Sequence, residues 1–216
     1  MPHRLIAEEL KADLDTLVIG QQITVLEQTA STNDAILEIA NVNSKEGFVV
    51  FAEHQTAGRG QRGNRWDSAA GKGLWFSILL RPEIDLSSSP RLTAWAAEAI
   101  CNTIQREFSL KPTIKHPNDV QIDALKVAGV LVEMRAQEKA SHLAVAGIGV
   151  NVNQSLEDFP EELQSRAISL AMALGTQVNR QKFAVALLRT LDRTYRARFA
   201  SLGEKLTTLN GQNGFI

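Results

Sequence analysis

Gly58-Arg59-Gly60-Gln61-Arg62-Gly63-Asn64-Arg65-Trp66 lies between two stretches that both read as buried strands, Gly47-Phe48-Val49-Val50-Phe51-Ala52 and Leu74-Trp75-Phe76-Ser77-Ile78-Leu79-Leu80. How it is read decides the fold. It matches G-x-G-x-x-G, whose dinucleotide-binding use requires the glycines to open a helix directly after a strand. Here they run on through Asp67-Ser68-Ala69-Ala70-Gly71-Lys72-Gly73 into the second strand, which leaves no room for a helix, so a dinucleotide fold is rejected. What remains is a connection with three arginines, three glycines and no acid, closing on an indole. Backbone N–H groups and guanidinium forks in such a loop suit a phosphate. A mobile basic loop is the competing reading, and Trp66 speaks against it, because aromatics are scarce in segments that never order.

Working outward, Ser31-Thr32-Asn33-Asp34 opens an apolar helical run, and a Ser three residues ahead of an acid is a capping signature. The same helix start also presents unpaired N–H groups and hydroxyls to a polar ligand. Gln55 ends the first strand just before the loop, where sites are commonly built. Lys115-His116-Pro117-Asn118-Asp119 forms a second polar cluster, in which Pro117 restrains His116 to extended geometry. A hairpin turning at Asp123-Ala124 then carries Lys126-Val127-Ala128-Gly129-Val130-Leu131-Val132-Glu133-Met134. Lys126 in an apolar strand either meets an anion or faces solvent. Gly147 and Gly149, in the strand 142–153, mark close approach by a ligand or a bulge. Five polar groups thus lie at strand ends or on glycine-opened strands. Their convergence would make an apolar slot, with amide-type hydrogen bonding at one end and cations at the other. Such a slot suits a polar-headed acid whose carboxylate is activated by a nucleotide phosphate.

The remaining elements read as scaffold. Leu5, Ile6, Leu10, Leu14 and Leu17 predict an amphipathic helix over 3–17, and residues 23–26 a first strand. Ser89-Pro90 starts a helix of about five turns to Phe108 that buries Trp95. From Pro160 the pattern turns helical again, through 167–174 to an end at Gly175, and a last helix runs from near Asn179 to Leu202. Arginines 189, 193, 196 and 198 cluster toward its C-terminal end, where they complement the helix dipole.

Composition sets bounds. The 216 residues carry 23 basic and 24 acidic side chains, a net charge of −1, so a broad nucleic-acid-binding surface is not indicated. The single cysteine, Cys101, excludes an intrachain disulfide and any cysteine-based metal cluster. No second His or Cys lies at ligand spacing from His116. The N-terminus reaches Glu8 and Glu9 too early for a signal peptide, and no apolar run approaches ~20 residues, so a cytoplasmic protein without membrane association is expected.

The loop with its preceding Gln55, together with Ser31-Thr32-Asn33, 115–119, 126–133 and Gly147-Ile148-Gly149-Val150-Asn151, resembles in order the signature blocks of biotin protein ligases over roughly residues 23–200. The resemblance implies an α+β fold, a mixed and mainly antiparallel sheet flanked by helices, related to class II aminoacyl-tRNA synthetases and lipoate ligases. It implies one catalytic domain, core about residues 23–203, with no N-terminal helix-turn-helix and so no repressor activity. It also implies chemistry in two steps, in which biotin and ATP-Mg2+ give biotinyl-adenylate and a lysine of a biotin carboxyl carrier protein then attacks. Lys126 and Arg59 would be catalytic. Ser31, Thr32, Asn33, Gln55, Gly58, Gly60, Gln61, Gly129, Gly147 and Gly149 would join them around biotin. Arg62, Trp66, Lys115, Asn118, Asp119 and Asn151 would surround ATP and the adenylate, with Trp66 over the adenine and Asp119 assisting the metal or the amine. No protein-only metal site is expected, and a homodimer is left open. Three features depart from the family pattern: Gln61 stands where arginine is usual, His116 replaces tryptophan, and Ile216 comes too soon for the usual small C-terminal β-barrel. Glutamine at position 61 removes one positive contact to the intermediate. A lipoate or octanoate ligase of the same fold is the nearest rival, and a nonenzymatic biotin-binding protein the next.

Overall fold

The computed structural model describes residues 4–40, 44–136 and 142–199. At its centre is β3 (Leu74–Leu80), buried at all seven positions. It pairs antiparallel with β2 (Val49–Gln55) on one side and β7 (Leu143–Val150) on the other. The sheet has seven strands in the order β1-β2-β3-β7-β6-β5-β4, where β1 is Ile23–Thr29, β4 Thr113–Lys115, β5 Asp119–Ile122 and β6 Leu125–Arg135. Only β1 and β2 run parallel, joined by α2 (Thr32–Ile39); every other neighbouring pair is antiparallel.

Alternation along the central strands sorts the sheet into two faces. Leu74, Phe76, Ile78 and Leu80 of β3, with Ala144, Ala146, Ile148 and Val150 of β7, join the larger core. That core is covered by α3 (Ser89–Phe108) and α6 (Arg180–Phe199), where Trp95 packs 5.3 Å from Tyr195 between ring centroids. On the opposite face Leu79, Val145 and Val50 meet Ala35 and Ile36 of α2. The first turn of α2 covers Ser77 and Gly147 through Thr32 and Asn33, and Trp75 and Gly149 beside them are covered by Trp66 of the loop between β2 and β3. Two buried carboxylates brace the scaffold. Glu53 on β2 pairs with Arg180 at 2.8 Å and accepts from the Leu5 N–H at 2.7 Å. Asp192 on α6 accepts from the N–H groups of Val18 and Ile19, both at 2.8 Å.

Several expected elements are corrected. The first helix, α1, spans only Ala7–Ala12; Leu5 and Leu10 are buried, but Leu17 is 60% exposed and belongs to the segment held by Asp192. The helical pattern expected from Pro160 to Gly175 is broken, its second part beginning at Leu170 (α5, Leu170–Leu174), because Lys126 N–H donates to Arg166 O and Ile168 N–H to Lys126 O, extending Ala167 alongside β6. A four-residue helix, α4 (Glu161–Gln164), precedes it. Ser88 rather than Ser89 occupies the N-cap position of α3, without a side-chain capping bond, and Pro90 lies in the first turn. His3 and Leu202 lie outside the described residues.

Candidate active site

The loop of 58–66 is a small hairpin. Gly60 N–H donates to Asn64 O at 2.7 Å, Trp66 N–H to Gly58 O at 2.9 Å, and Arg59 bridges Arg65. Arg62 at the tip adopts φ +58°, the left-handed region. This fold-back turns Arg59 and Trp66 toward the α2 face of the sheet, while Arg62 stays exposed. Gly58 is needed because a Cβ there would sit 2.6 Å from Trp66 O.

Gly129 on β6 and Gly149 on β7 are cross-strand partners and form the floor of a shallow bay. β7 keeps an unbroken register with both neighbours, so its glycines mark close approach and not a bulge. The indole of Trp66 rests on that floor: a Cβ on Gly149 would lie 2.5 Å from the ring, and one on Gly129 2.8 Å from it. Gly147 makes room for the amide of Asn33, whose Oδ1 would lie 2.3 Å from an added Cβ. Lys126 Nζ sits 5.1 Å from the centroid of the Trp66 ring and 2.8 Å from Asp119 Oδ1. The lysine in an apolar strand therefore does meet an anion, which offsets its partial burial. The Trp66 Nε1–H is buried and has no hydrogen-bond partner among the described residues.

At the other end stand Ser31, Thr32, Asn33 and Gln55. Thr32 N–H donates to Gln55 Oε1 at 2.8 Å, and Asn33 Nδ2 to Glu133 Oε2 at 2.6 Å. Ser77 Oγ lies 2.8 Å from Thr32 Oγ1 and 2.6 Å from Asn33 Oδ1. Arg59 spans the mouth, gripping Asp34 through both terminal nitrogens and Glu133 Oε2 at 3.2 Å. The Arg59 hydrogen bond holds the Asp34 carboxyl below its usual range, and the guanidinium is raised in return, chiefly by Asp34. The expected capping box is thus corrected: Ser31 makes no side-chain cap, and Asp34 turns to the arginine instead.

These groups line one cavity of about 40 Å³, roughly an order of magnitude below the usual volume of a small-molecule site. Arg59, Gly60 and Trp66 form its hairpin side. Ser31, Thr32, Asn33, Gln55, Arg59, Gly60, Trp66, Asn118, Lys126, Gly129, Gly147 and Gly149 all border it, and Asp119 reaches it through Lys126. The structure does not bring Gly58, Gln61, Arg62, Lys115 or Asn151 to the cavity; Gly58 is buried under Trp66 at the base of the hairpin. Gln61 and Arg62 sit at the hairpin tip, and Lys115 is exposed at the end of β4. Asn151 has a structural task, because its Nδ2 donates to Lys126 O and Ile168 O while its Oδ1 accepts from Gln154. Sequence reasoning missed Ser77, Asp34 and Glu133 as site residues. Glu133 lay within a quoted block, but nothing local marks it as the partner of Asn33, 100 positions away.

A model of the biotin/lipoate A/B protein ligase family matches residues 25–151. The chain belongs to this family. It is 39% identical over 195 residues to the bifunctional ligase/repressor BirA of Bacillus subtilis, covering 90% of this chain and 60% of that protein. It is 32% identical over 206 residues to the biotin--[acetyl-CoA-carboxylase] ligase of Mycobacterium tuberculosis, with coverages of 86% and 74%. Among solved structures, the biotin protein ligase of Aquifex aeolicus in complex with biotin and ATP superposes with a TM-score of 0.69 at 27% identity, over 82% of this chain and 73% of that one. The fold is that of the biotin and lipoate ligases, a class II aminoacyl-tRNA synthetase-like sheet flanked by helices. The chain spans about 60% of the length of its Bacillus relatives. No helix among the described residues is long and apolar enough to cross a membrane.

Proposed function

We propose that the chain is an ATP-dependent ligase that activates biotin as biotinyl-5'-adenylate and transfers it to a lysine of a biotin carboxyl carrier protein, acting in the cytoplasm. One observation carries this reading. Two cations from separate stretches, Arg59 and Lys126, border the same cavity as the hydrogen-bonding set Ser31, Thr32 and Gln55. In the first step a carboxylate oxygen of biotin attacks the α-phosphorus of ATP, an O–P bond forms and pyrophosphate leaves. In the second, the carrier amine attacks the acyl carbon, an amide forms and AMP leaves with the acyl oxygen. Negative charge grows on the α-phosphoryl oxygens in the first step, and Lys126, released from Asp119, is the group placed to meet it. Arg59 exchanges Asp34 and Glu133 for the substrate carboxylate.

Asp119, beside Lys126 at the cavity, would be the one carboxylate to touch a Mg2+ carried in on ATP phosphates. When bound, that ion screens phosphate charge and assists departure of pyrophosphate. Trp66, resting on Gly129 and Gly149, is the covering side chain, and closure of its hairpin keeps water from the mixed anhydride.

The test is ATP–pyrophosphate exchange with biotin and lipoate supplied in turn. Biotin-dependent exchange is expected, with a loss of at least about a hundredfold in Lys126→Ala. Exchange driven by lipoate alone, or none, rejects the assignment.

A further inference from the structure

The hydrogen bonds at the head end of the cavity have a direction that chemistry fixes atom by atom. The Glu133 carboxylate, paired with Arg59, can only accept. Asn33 lies 2.6 Å from it and must present Nδ2, which leaves Oδ1 facing Ser77. An amide oxygen cannot donate, so the one hydroxyl proton of Ser77 goes to Asn33 across 2.6 Å. Ser77 Oγ is also 2.8 Å from Thr32 Oγ1, and with its proton committed it accepts there. Thr32 is therefore the donor in that contact. Its only proton is used, and its 3.2 Å approach to Gln55 Oε1 is longer than an ordinary O–H···O bond. Gln55 Oε1 is served instead by the Thr32 N–H at 2.8 Å. What remains for a ligand is a pair of lone pairs on Thr32 and the NH₂ of Gln55.

We propose that Ser77, which lines no part of the cavity, is a positioning residue that sets Thr32 as an acceptor beside the Gln55 donor. The wall then matches a head group in which an N–H stands next to a C=O, a cyclic urea or amide. The relay runs Thr32 to Ser77 to Asn33 to Glu133 and meets Arg59 at its far end, so head recognition and the hairpin arginine share one chain of bonds. Its surroundings are shaped for it. Ser77 is fully buried on β3, and its cross-strand partner is Gly147, the residue whose missing side chain admits the Asn33 amide.

This inference rests on the biotin reading above, and the experiment separates the two. In Ser77→Ala the Thr32 proton is free to turn toward the cavity and clash with the substrate N–H. KM for biotin in pyrophosphate exchange should rise about tenfold or more with kcat within twofold, while the inhibition constant of lipoate, which has no urea, stays unchanged. Ser77→Cys, which keeps the shape of the side chain with a weaker donor, should give the same split with a smaller rise in KM; it decides the matter if Ser77→Ala does not fold. An unchanged biotin KM, or an equal loss for biotin and lipoate with a lowered Tm, overturns the relay. Absence of biotin-dependent exchange in the unmodified chain instead overturns the function.

Discussion

Arg59 is held by two carboxylates, and this defines the state of the site before any acid substrate arrives. Asp34 and Glu133 each offer what a substrate carboxylate would offer, so under the proposed function binding would be an exchange of partners. Asp34→Asn removes the stronger competitor. Because the pair is nearly half exposed, its worth is modest, and biotin affinity should tighten roughly two- to fivefold by titration calorimetry. The pH dependence has a fixed sign. Arg59 depresses the Asp34 carboxyl, so the pair's contribution is present above the ordinary aspartate range and is lost as pH falls through the depressed value. Acid titrations of the native chain and Asp34→Asn, followed by Trp66 fluorescence, should differ at neutral pH and converge in strong acid. At this scale the sequence was readable where a residue's placement follows from its own neighbours. Gln55 at a strand end and Lys126 beside Gly129 are such cases. Asp34 was misread because a local cap explained it fully, while its true partner is 25 positions away. Ser77 left no trace, since a serine in a buried strand acquires a task only when α2 and β7 arrive on the same face.

The hairpin of 58–66 and the paired glycines of β6 and β7 work as one unit. The loop's composition predicted an anion-binding connection, and its position between two strands excluded a dinucleotide fold. Its tight closure through Gly60 and Asn64 was not legible, because three glycines permit many conformations and cross-strand contact selects one. The same closure strands Arg62 and Gln61 at the tip, so a glutamine in place of the family's arginine acts, in this state, away from the cavity. The strand glycines were legible as points of close approach, but what approaches was not. Gly149→Ala places a methyl 2.5 Å from the indole, and Trp66 must lift from the floor. Its emission should shift to the red, and retention of the adenylate should fall, as measured by release of labelled intermediate.

Across the molecule, the division of the sheet into a thick core face and a thinly covered α2 face creates the site. The central strands β2, β3 and β7, the five-turn helix and the last helix were readable from their apolar pattern, because each buries a continuous face or run. Helix 3–17 was overextended because an apolar spacing continues past Ala12, where Asp192 captures the chain in another conformation. Three of the four arginines clustered toward the C-terminal end of α6 are paired, Arg189 with Asp15, Arg196 with Asp192 and Arg198 with Glu98, so much of their charge is met within the molecule. Trp95, fully buried against Tyr195 and Phe199, joins the two long helices. Trp95→Ala should destabilise the fold by about 3–5 kcal/mol in urea unfolding, with the site chemistry intact in the folded fraction.

The central claim is that Arg59 and Lys126 act on one activated carboxyl group. Rapid quenching of the chain with biotin and ATP, in the absence of carrier, followed by mass spectrometry of the bound product, tests it most directly. Biotinyl-adenylate should accumulate on the native chain and be lost in both Arg59→Ala and Lys126→Ala. Formation at an undiminished rate after removal of either cation would contradict the account.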